Sequence, residues 1–224
     1  MTSSQILTTL KKLGKPQTAA IYKRHGSGDN VFGTLTSEIA KLRKKIKCDH
    51  ALAKELWKTR NAEARILALQ IADPAKVTMS AAEKIVKDGS TWFFGPYLTE
   101  LFARSPIADD AMRGWMKSKD GSLREIGYGL LSMRLRNDAD SIDDADASKI
   151  LATIEKEIHK SPNLARHAMN NAVIAIGVNK PALRKSATAT AVRIGKVQVD
   201  HGETNCTTPD AAAYIAKAAK RQRG

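Results

Sequence analysis

Apolar residues recur along most of the chain at the spacing of one α-helical face. In 165–177 this face consists of Ala165, Ala168, Met169, Ala172, Val173 and Ile176. A narrower stripe in 34–47 consists of Leu35, Ile39, Leu42 and Ile46, and 121–135 repeats the pattern. Because residues three and four apart lie on the same side of an α-helix, each segment is predicted to form an amphipathic helix.

The same spacing predicts about 12 helices in the whole chain. The others are placed at 3–13, 16–25, 49–59, 62–72, 79–88, 91–104, 108–117, 147–159, 180–194 and 208–221. Only Val197-Gln198-Val199 alternates as a β-strand does, and three residues are too few to make a sheet. The sequence therefore predicts an all-α protein.

Short breaks separate the predicted helices, as at Gly14-Lys15-Pro16, Asp73-Pro74 and Ser161-Pro162. Proline and glycine begin or end helices at such positions. Many short helices joined by turns favour an α-solenoid of antiparallel HEAT-like (ARM-type) pairs over a closed bundle. The looser stretches 25–33 and 137–146 have neither the length nor the composition of a linker, so 1–224 is predicted to be a single domain.

The chain is strongly basic, with 37 Lys and Arg against 23 Asp and Glu and a formal net charge of +14. Such an excess attracts polyanions, so nucleic acid is the first partner to consider and an anionic membrane surface the second. The longest apolar runs fall short of the roughly 18 residues of a membrane span, and the N-terminus does not resemble a signal peptide. With only two cysteines, these features lead us to expect a soluble cytoplasmic protein.

Five segments resemble the AlkD-like DNA alkylation repair family, whose members are built of HEAT-like repeats. In chain order they are Cys48–Trp57, Asn61–Ala68, Ser90–Trp92 with Leu101–Pro106, Leu123–Tyr128, and Asn163–Ala168 with Ala175–Gly177. The resemblance extends from about Ile46 to the C-terminus. It implies a curved helical-repeat protein that grips the DNA backbone.

The resemblance also implies glycosylase chemistry on alkylated purines. A cationic N3- or N7-alkylated base leaves readily, so the enzyme stabilises the developing sugar cation with a carboxylate and with tryptophan faces. An arginine holds the phosphate. In the family these groups are two tryptophans, the arginine, and an aspartate four residues after the first tryptophan.

This sequence keeps part of that set. Trp92 matches the first tryptophan and Arg124 the arginine, and these two are the candidate catalytic residues. Pro96 stands where the aspartate is expected and Asn171 where the second tryptophan is expected. Proline after Gly95 is also expected to bend or break the helix that would carry the acid. DNA binding without base excision is therefore favoured over an active glycosylase.

Basic and polar residues on several predicted helices are candidates for contact with double-stranded DNA. They are Lys41, Lys44, Lys45, Arg124, Arg166, His167, Asn171, Arg184, Lys185 and Arg193. If the helices stack in rows, these residues are expected to line one basic concave face and follow a DNA backbone. For the lysines of 41–47 a solvated helix face is an equal alternative, and Arg65 could form an internal ion pair instead of binding a ligand.

The segment Asp200–Cys206 contains Asp, His, Glu and Cys within seven residues. Its spacing matches no standard zinc pattern, so we interpret it as a structured loop before the last helix. No metal and no cofactor are expected, since the chain has no phosphate-cradling glycine loop and no HExxH motif.

Three classes of function stay open on this sequence. The first is a DNA-binding repeat protein that recognises damaged or branched DNA by shape, and the second is an active glycosylase. The third is a protein–protein scaffold whose positive charge meets an acidic partner. For the first class we expect a monomer associated with the nucleoid.

Overall fold

The computed structural model describes residues 1–89 and 91–221, and within these ranges it contains thirteen α-helices and no β-strand. The helices are α1 (Ser3–Leu13), α2 (Pro16–Arg24), α3 (Thr36–Ile46), α4 (His50–Lys58), α5 (Ala62–Ile71), α6 (Met79–Asp88), α7 (Thr91–Ala103), α8 (Ala108–Trp115), α9 (Gly121–Asn137), α10 (Asp144–Glu157), α11 (Asn163–Asn179), α12 (Arg184–Ile194) and α13 (Ala211–Arg221). The all-helical prediction is confirmed. The segment around Val197 is not a strand.

Polar side chains fix where several helices begin. Thr2 forms a capping box with Gln5 at the start of α1, and Asp49, Asn61 and Asp120 cap α4, α5 and α9. Each of these oxygens accepts a backbone N–H that has no partner inside the helix, which is worth about 1 kcal/mol. Such caps let short helices follow one another across turns of a few residues.

The chain divides into two compact units, and unit 1 comprises residues 1–108 with 202–204. Helix α5 lies at its centre, because α1, α3, α4 and α7 all pack on it. Every residue of α5 except Gln70 is buried. A helix that is buried on all sides must satisfy any charge it carries from within the fold.

Unit 2 comprises residues 109–201 with 205–224 and has a layered arrangement. Helix α11 packs between α9 and α13 in one layer, and α10 packs beside α12 in the other. The start of α9 lies against the start of α11, since a methyl group at Gly121 would stand 2.7 Å from the side chain of Pro162. Two helix N-termini, each with a partial positive charge, therefore lie side by side.

Glu63 is an acid that unit 1 buries completely. Its carboxylate accepts hydrogen bonds from the backbone N–H groups of Phe32, Gly33 and Thr34, at 3.0 Å for the first and the last. Gly33 has φ +82°, and a Cβ there would stand 2.1 Å from the carbonyl oxygen of Lys15. The turn at 32–34 thus needs glycine, and it forms a concave set of donors that holds one anion.

Lys180 is the corresponding buried charge of unit 2 and is 6% exposed. Its ammonium group lies 2.8 Å from the Asp144 carboxylate and donates to the carbonyls of Ala139 and Ile142. The contact ties the end of α11 to the start of α10. Sequence inspection did not single out this lysine.

Pro96 does not break its helix, contrary to the expectation from the Gly-Pro pair. Helix α7 continues from Thr91 to Ala103 with Pro96 inside it and exposed to solvent. Phe94, Leu98 and Phe102 on the same helix are buried. Burial of such side chains contributes roughly 1.5–3 kcal/mol each, enough to offset the loss of about 3 kcal/mol from an internal proline.

The prediction of a single domain stays a prediction, as does the basic concave face. Within the described ranges no helix is both long and apolar enough to cross a membrane.

Replacing Glu63 by glutamine should destabilise the protein by about 2–4 kcal/mol. The amide places a donor and a weaker acceptor against three buried N–H groups, whereas the carboxylate satisfies all of them. Urea unfolding measures the change. Glu55→Gln on the exposed side of α4 is the matched control and should stay within about 0.5 kcal/mol. Equal stability of the two variants would show that the buried carboxylate does not hold the 32–34 turn.

Candidate nucleic-acid interface

Arg124 and Arg166 occupy the same position in neighbouring helices of unit 2. Each is the fourth residue of its helix, α9 or α11. Their backbone N–H groups bond to the carbonyls of Asp120 and Pro162, which close the first turn of each helix. Since the two N-termini are adjacent, two of the predicted DNA-contacting arginines lie at one end of the same helix layer.

Arg124 is largely buried, with 13% of its side chain exposed, and it forms an ion pair with Glu157. It also hydrogen-bonds the Tyr128 hydroxyl. Burial raises the pKa of Tyr128, and the guanidinium partly opposes that rise. The Nε atom of Arg124 is buried without a hydrogen-bond partner in the described part of the chain. The arginine is thus held by its own protein and could bind a phosphate only in competition with Glu157.

Arg166 has no such counter-charge. Within residues 1–89 and 91–221 no carboxylate pairs with it, although the residue is half-buried. Its Nε atom is buried and makes no hydrogen bond. A partly desolvated guanidinium without an acceptor is unfavourable, by about 1–3 kcal/mol for the unsatisfied donor alone. An anion from outside the chain would remove that cost.

Arg193 is bound by an acid of its own unit. Its guanidinium donates to both oxygens of Glu155 at 2.6 and 2.8 Å. This contact raises the pKa of Arg193 and lowers the pKa of Glu155. Arg193 is exposed and Glu155 only half-buried, so the pair adds little to stability, but it occupies the edge of the guanidinium that would meet a phosphate.

Arg184 and Lys185 lie at the other end of α11. Arg184 donates to the carbonyls of Gly177 at 3.1 Å and Val178 at 3.3 Å, where α11 ends. Eleven residues of helix separate Gly177 from Arg166, which is a distance of about 16 Å along the axis. The structure therefore does not bring Arg184 and Lys185 together with Arg166.

His167 faces the segment that leads to α13. Its Nδ1 atom lies 3.4 Å from the Thr208 hydroxyl, and the Nε2 atom of His201 lies 3.0 Å from the same oxygen. The two imidazole rings are 5.5 Å apart at a steep angle. Asn163 holds this segment with two hydrogen bonds to the backbone of Asp200, at 2.7 and 2.8 Å. His167 is thus part of the packing of the last segment on α11.

Asn171 lies one turn after His167 on α11 and is half-buried. Its neighbour Asn170 is buried and donates to the carbonyl of Pro209. The side of α11 that carries Asn163 and Asn170 is therefore covered by the chain that precedes α13.

No group of three or more His, Cys, Asp or Glu side chains could hold a metal ion in the part of the chain that the structure describes. Cys48 and Cys206 are both exposed and form no disulfide.

The lysines of unit 1 differ in their partners. Lys41 pairs with Glu38 at 2.7 Å. Lys44 and Lys45 are exposed and contact no carboxylate among the residues described, while Ile39 and Leu42 bury the opposite side of α3. Both alternatives from the sequence, a solvated helix face and a phosphate contact, therefore stay open for Lys44 and Lys45.

Trp92 lies on α7 in unit 1 and is half-buried. Pro96 follows one turn later on the same helical face, at the place where the family resemblance implies the aspartate. The nearest acid further along α7 is Glu100, about 12 Å from Trp92 along the helix axis. The helix therefore presents no carboxylate one turn from the indole.

Arg65 forms the internal ion pair that the sequence left as an alternative. Its guanidinium contacts the Asp88 carboxylate at 2.6 Å and lies over the Trp57 ring, 4.4 Å from the ring centroid. The Trp57 indole N–H donates to the same carboxylate. These three residues join α4, α5 and α6 and have a packing role.

Comparison with known sequences identifies the family. Residues 6–215 match the family described as DNA alkylation repair enzyme. The chain belongs to this family. The recognition made from the five sequence segments is therefore confirmed.

Two relatives and one solved structure extend the comparison. The uncharacterized protein Lin0241 of Listeria innocua is 31% identical, with 99% of each chain covered. The uncharacterized protein Lmo0209 of Listeria monocytogenes is 29% identical over the full length of both chains. A solved structure with a TM-score of 0.90 and 27% identity covers 100% of this chain and 96% of its own. It is described as representing a new family of proteins related to the HEAT-like repeat DNA glycosylases with affinity for branched DNA structures. The predicted HEAT-like fold is confirmed by this match.

Sequence reasoning missed the partners of the candidate arginines. Glu157 follows Arg124 by 33 residues, and Glu155 precedes Arg193 by 38. Both glutamates lie in the last turn of α10, where nothing in the local sequence distinguishes them from other surface acids. Only the repeat spacing, which places the end of one helix beside the start of another, could have suggested these pairs.

The half-buried His167 should make stability depend on pH. Burial, and next the neighbouring His201, lower the pKa of His167. The unfolded chain, with a histidine pKa of about 6.5, therefore binds a proton at higher pH than the folded chain does. Stability is lost as the pH falls through about 6.5 towards the lowered pKa of the folded state.

We expect His167→Gln to reduce the loss of stability between about pH 7.5 and pH 5.5. Urea unfolding of the variant and of the unaltered protein at both pH values measures this loss of stability. Part of the dependence should persist, because burial also lowers the pKa of His50. An unchanged pH dependence in the variant would contradict the assignment to His167.

Proposed function

We propose that this protein binds DNA through its sugar–phosphate backbone and prefers branched DNA, without excising a base. Membership of the DNA alkylation repair family supports DNA as the partner. The solved relative with affinity for branched DNA supports the preference. The net charge of +14 supplies the long-range attraction for a polyanion.

The observation that carries the proposal is the unpaired Arg166. Arg65, Arg124 and Arg193 each contact a carboxylate of this chain, whereas Arg166 contacts none in the described residues. A half-buried guanidinium has already lost part of its water, so a phosphate that reaches its exposed part can form directed, charge-assisted hydrogen bonds there.

Arg124 extends the site to the neighbouring repeat. Helices in contact lie about 8–10 Å apart, so the two arginines can contact separate phosphates of one DNA segment. Phosphate would replace Glu157 as the acceptor. Lys44 and Lys45 in unit 1 add attraction that is independent of DNA sequence.

Base excision is not part of the proposal. The resemblance implies an aspartate and a second tryptophan for that chemistry, and Pro96 and Asn171 occupy these places. Without the carboxylate, the developing positive charge on the sugar lacks its main electrostatic partner. In this proposal Trp92 has no catalytic role.

Arg166→Gln should weaken binding to a four-way junction by about 10-fold or more, since it removes hydrogen bonds worth roughly 1.5–3 kcal/mol. The slope of log affinity against log salt should become shallower by about one unit. Fluorescence anisotropy at two salt concentrations measures both quantities. Arg193→Gln is the matched control, since it removes the same charge from a guanidinium that Glu155 already neutralises. It should change affinity less than about 3-fold.

Equal losses of DNA affinity in the two variants would mean that affinity depends only on net charge. The assignment of a phosphate site to Arg166 would then be wrong. Absence of binding to any DNA at low salt would reject the proposal and favour a protein partner. Release of purines from methylated DNA by the unaltered protein would restore the glycosylase hypothesis.

A further inference from the structure

An open pocket of about 1050 Å³ lies in unit 2 beside Arg166. The start of α11, the end of α12 and residues 196–201 and 206–210 form its walls. Pockets that hold nucleotide-sized ligands have volumes of roughly 300–1000 Å³. This pocket is therefore large enough for one nucleotide.

Two cations line the pocket. Arg166 and Lys196 both line it, and neither contacts a carboxylate in the part of the chain described by the structure. Asp200 and Asp210 also lie on its walls. The Asp210 carboxylate accepts a hydrogen bond from the backbone of Ala213 at 2.9 Å in the first turn of α13, so this acid is engaged with a helix N-terminus.

Apolar side chains also form part of the pocket wall. Val192 projects from α12 with 67% of its surface exposed, which is the largest exposure among the bulky apolar residues described. Ala191, Val197 and Pro209 continue this surface. A lining that combines apolar side chains with cations matches the two parts of a nucleotide, whose base has flat apolar faces and whose phosphate is an anion.

We propose that this pocket binds a single unpaired nucleotide, with its phosphate on Arg166 and Lys196 and its base against Val192. The inference rests on the proposed function and names the DNA feature that the protein recognises. In an intact duplex each base is stacked and paired, and extracting one costs free energy. A fork with single-stranded arms or an overhanging strand end supplies an unpaired nucleotide without that cost, so the pocket selects such DNA.

Binding of deoxyadenosine monophosphate to the whole protein tests the pocket directly. Proton NMR line broadening of the nucleotide should show saturable binding, and deoxyadenosine without the phosphate should bind at least 10-fold more weakly. Val192→Glu places a carboxylate on the apolar wall and should weaken nucleotide binding at least 10-fold. Val192 is exposed, so the variant should keep the fold, and circular dichroism checks this.

Ser186→Glu is the matched control because it adds the same charge to an exposed position of α12 outside the pocket. It lies six residues from Val192, about 9 Å along the helix and beyond the screening length of about 8 Å at physiological salt. The control should bind the nucleotide as the unaltered protein does. Lys196→Gln, a second pocket variant at an exposed residue, should weaken binding at least 3-fold.

DNA titrations separate this inference from the proposed function. If the protein binds DNA and the pocket holds an unpaired nucleotide, Val192→Glu lowers the affinity of the protein for a forked duplex at least 5-fold more than its affinity for a blunt duplex. Equal effects of Val192→Glu and Ser186→Glu on nucleotide and fork would overturn the pocket while leaving DNA binding intact. If no DNA binds, the proposed function is rejected. The nucleotide titration alone would then show whether the pocket binds a nucleotide.

Discussion

The carboxylate of Glu63 is completely buried in unit 1, and three consecutive backbone N–H groups at 32–34 satisfy it. This contact illustrates the constraint on which the rest of the structure depends: a charge removed from water must find its partners inside the fold. Lys180 obeys it through Asp144 and two carbonyls, and Arg65 through Asp88 and Trp57. In each case one charged side chain joins segments that are distant in sequence.

The same constraint shapes the charged surface. Glu155 and Glu157 in the last turn of α10 each take one arginine, from α12 and from α9. A glutamate that pairs with one arginine does not neutralise the charge of any other lysine or arginine. Lys44, Lys45 and Arg166 are among the cations that no carboxylate pairs with in the described residues. Composition alone could indicate a polyanion partner but not where it binds.

Local sequence patterns were enough to predict the helices, whereas the partners of the site residues depend on contacts between distant parts of the chain. The 3.6-residue spacing and the proline and glycine breaks predicted nearly every helix, because burial of one apolar stripe depends on neighbouring residues only. The local rule for Pro96 was wrong, since packing of Phe94, Leu98 and Phe102 holds α7 together. The sequence selected Arg124, Arg166 and Arg193 as equals. Only the fold shows which carboxylate, if any, lies opposite each.

Arg124 and Arg166 occupy equivalent places in successive repeats, yet they would contribute to binding differently. When a phosphate reaches Arg124, the ion pair with Glu157 must break, and the free energy lost there cancels much of the gain. Arg166 pairs with no carboxylate of the described residues, so it has no ion pair to give up. Most of the directed binding energy should therefore come from one repeat. In such a protein the choice between DNA structures depends on which of them can place a phosphate at Arg166. Because Arg166 lines a pocket, the local shape of the DNA would determine which structures do so.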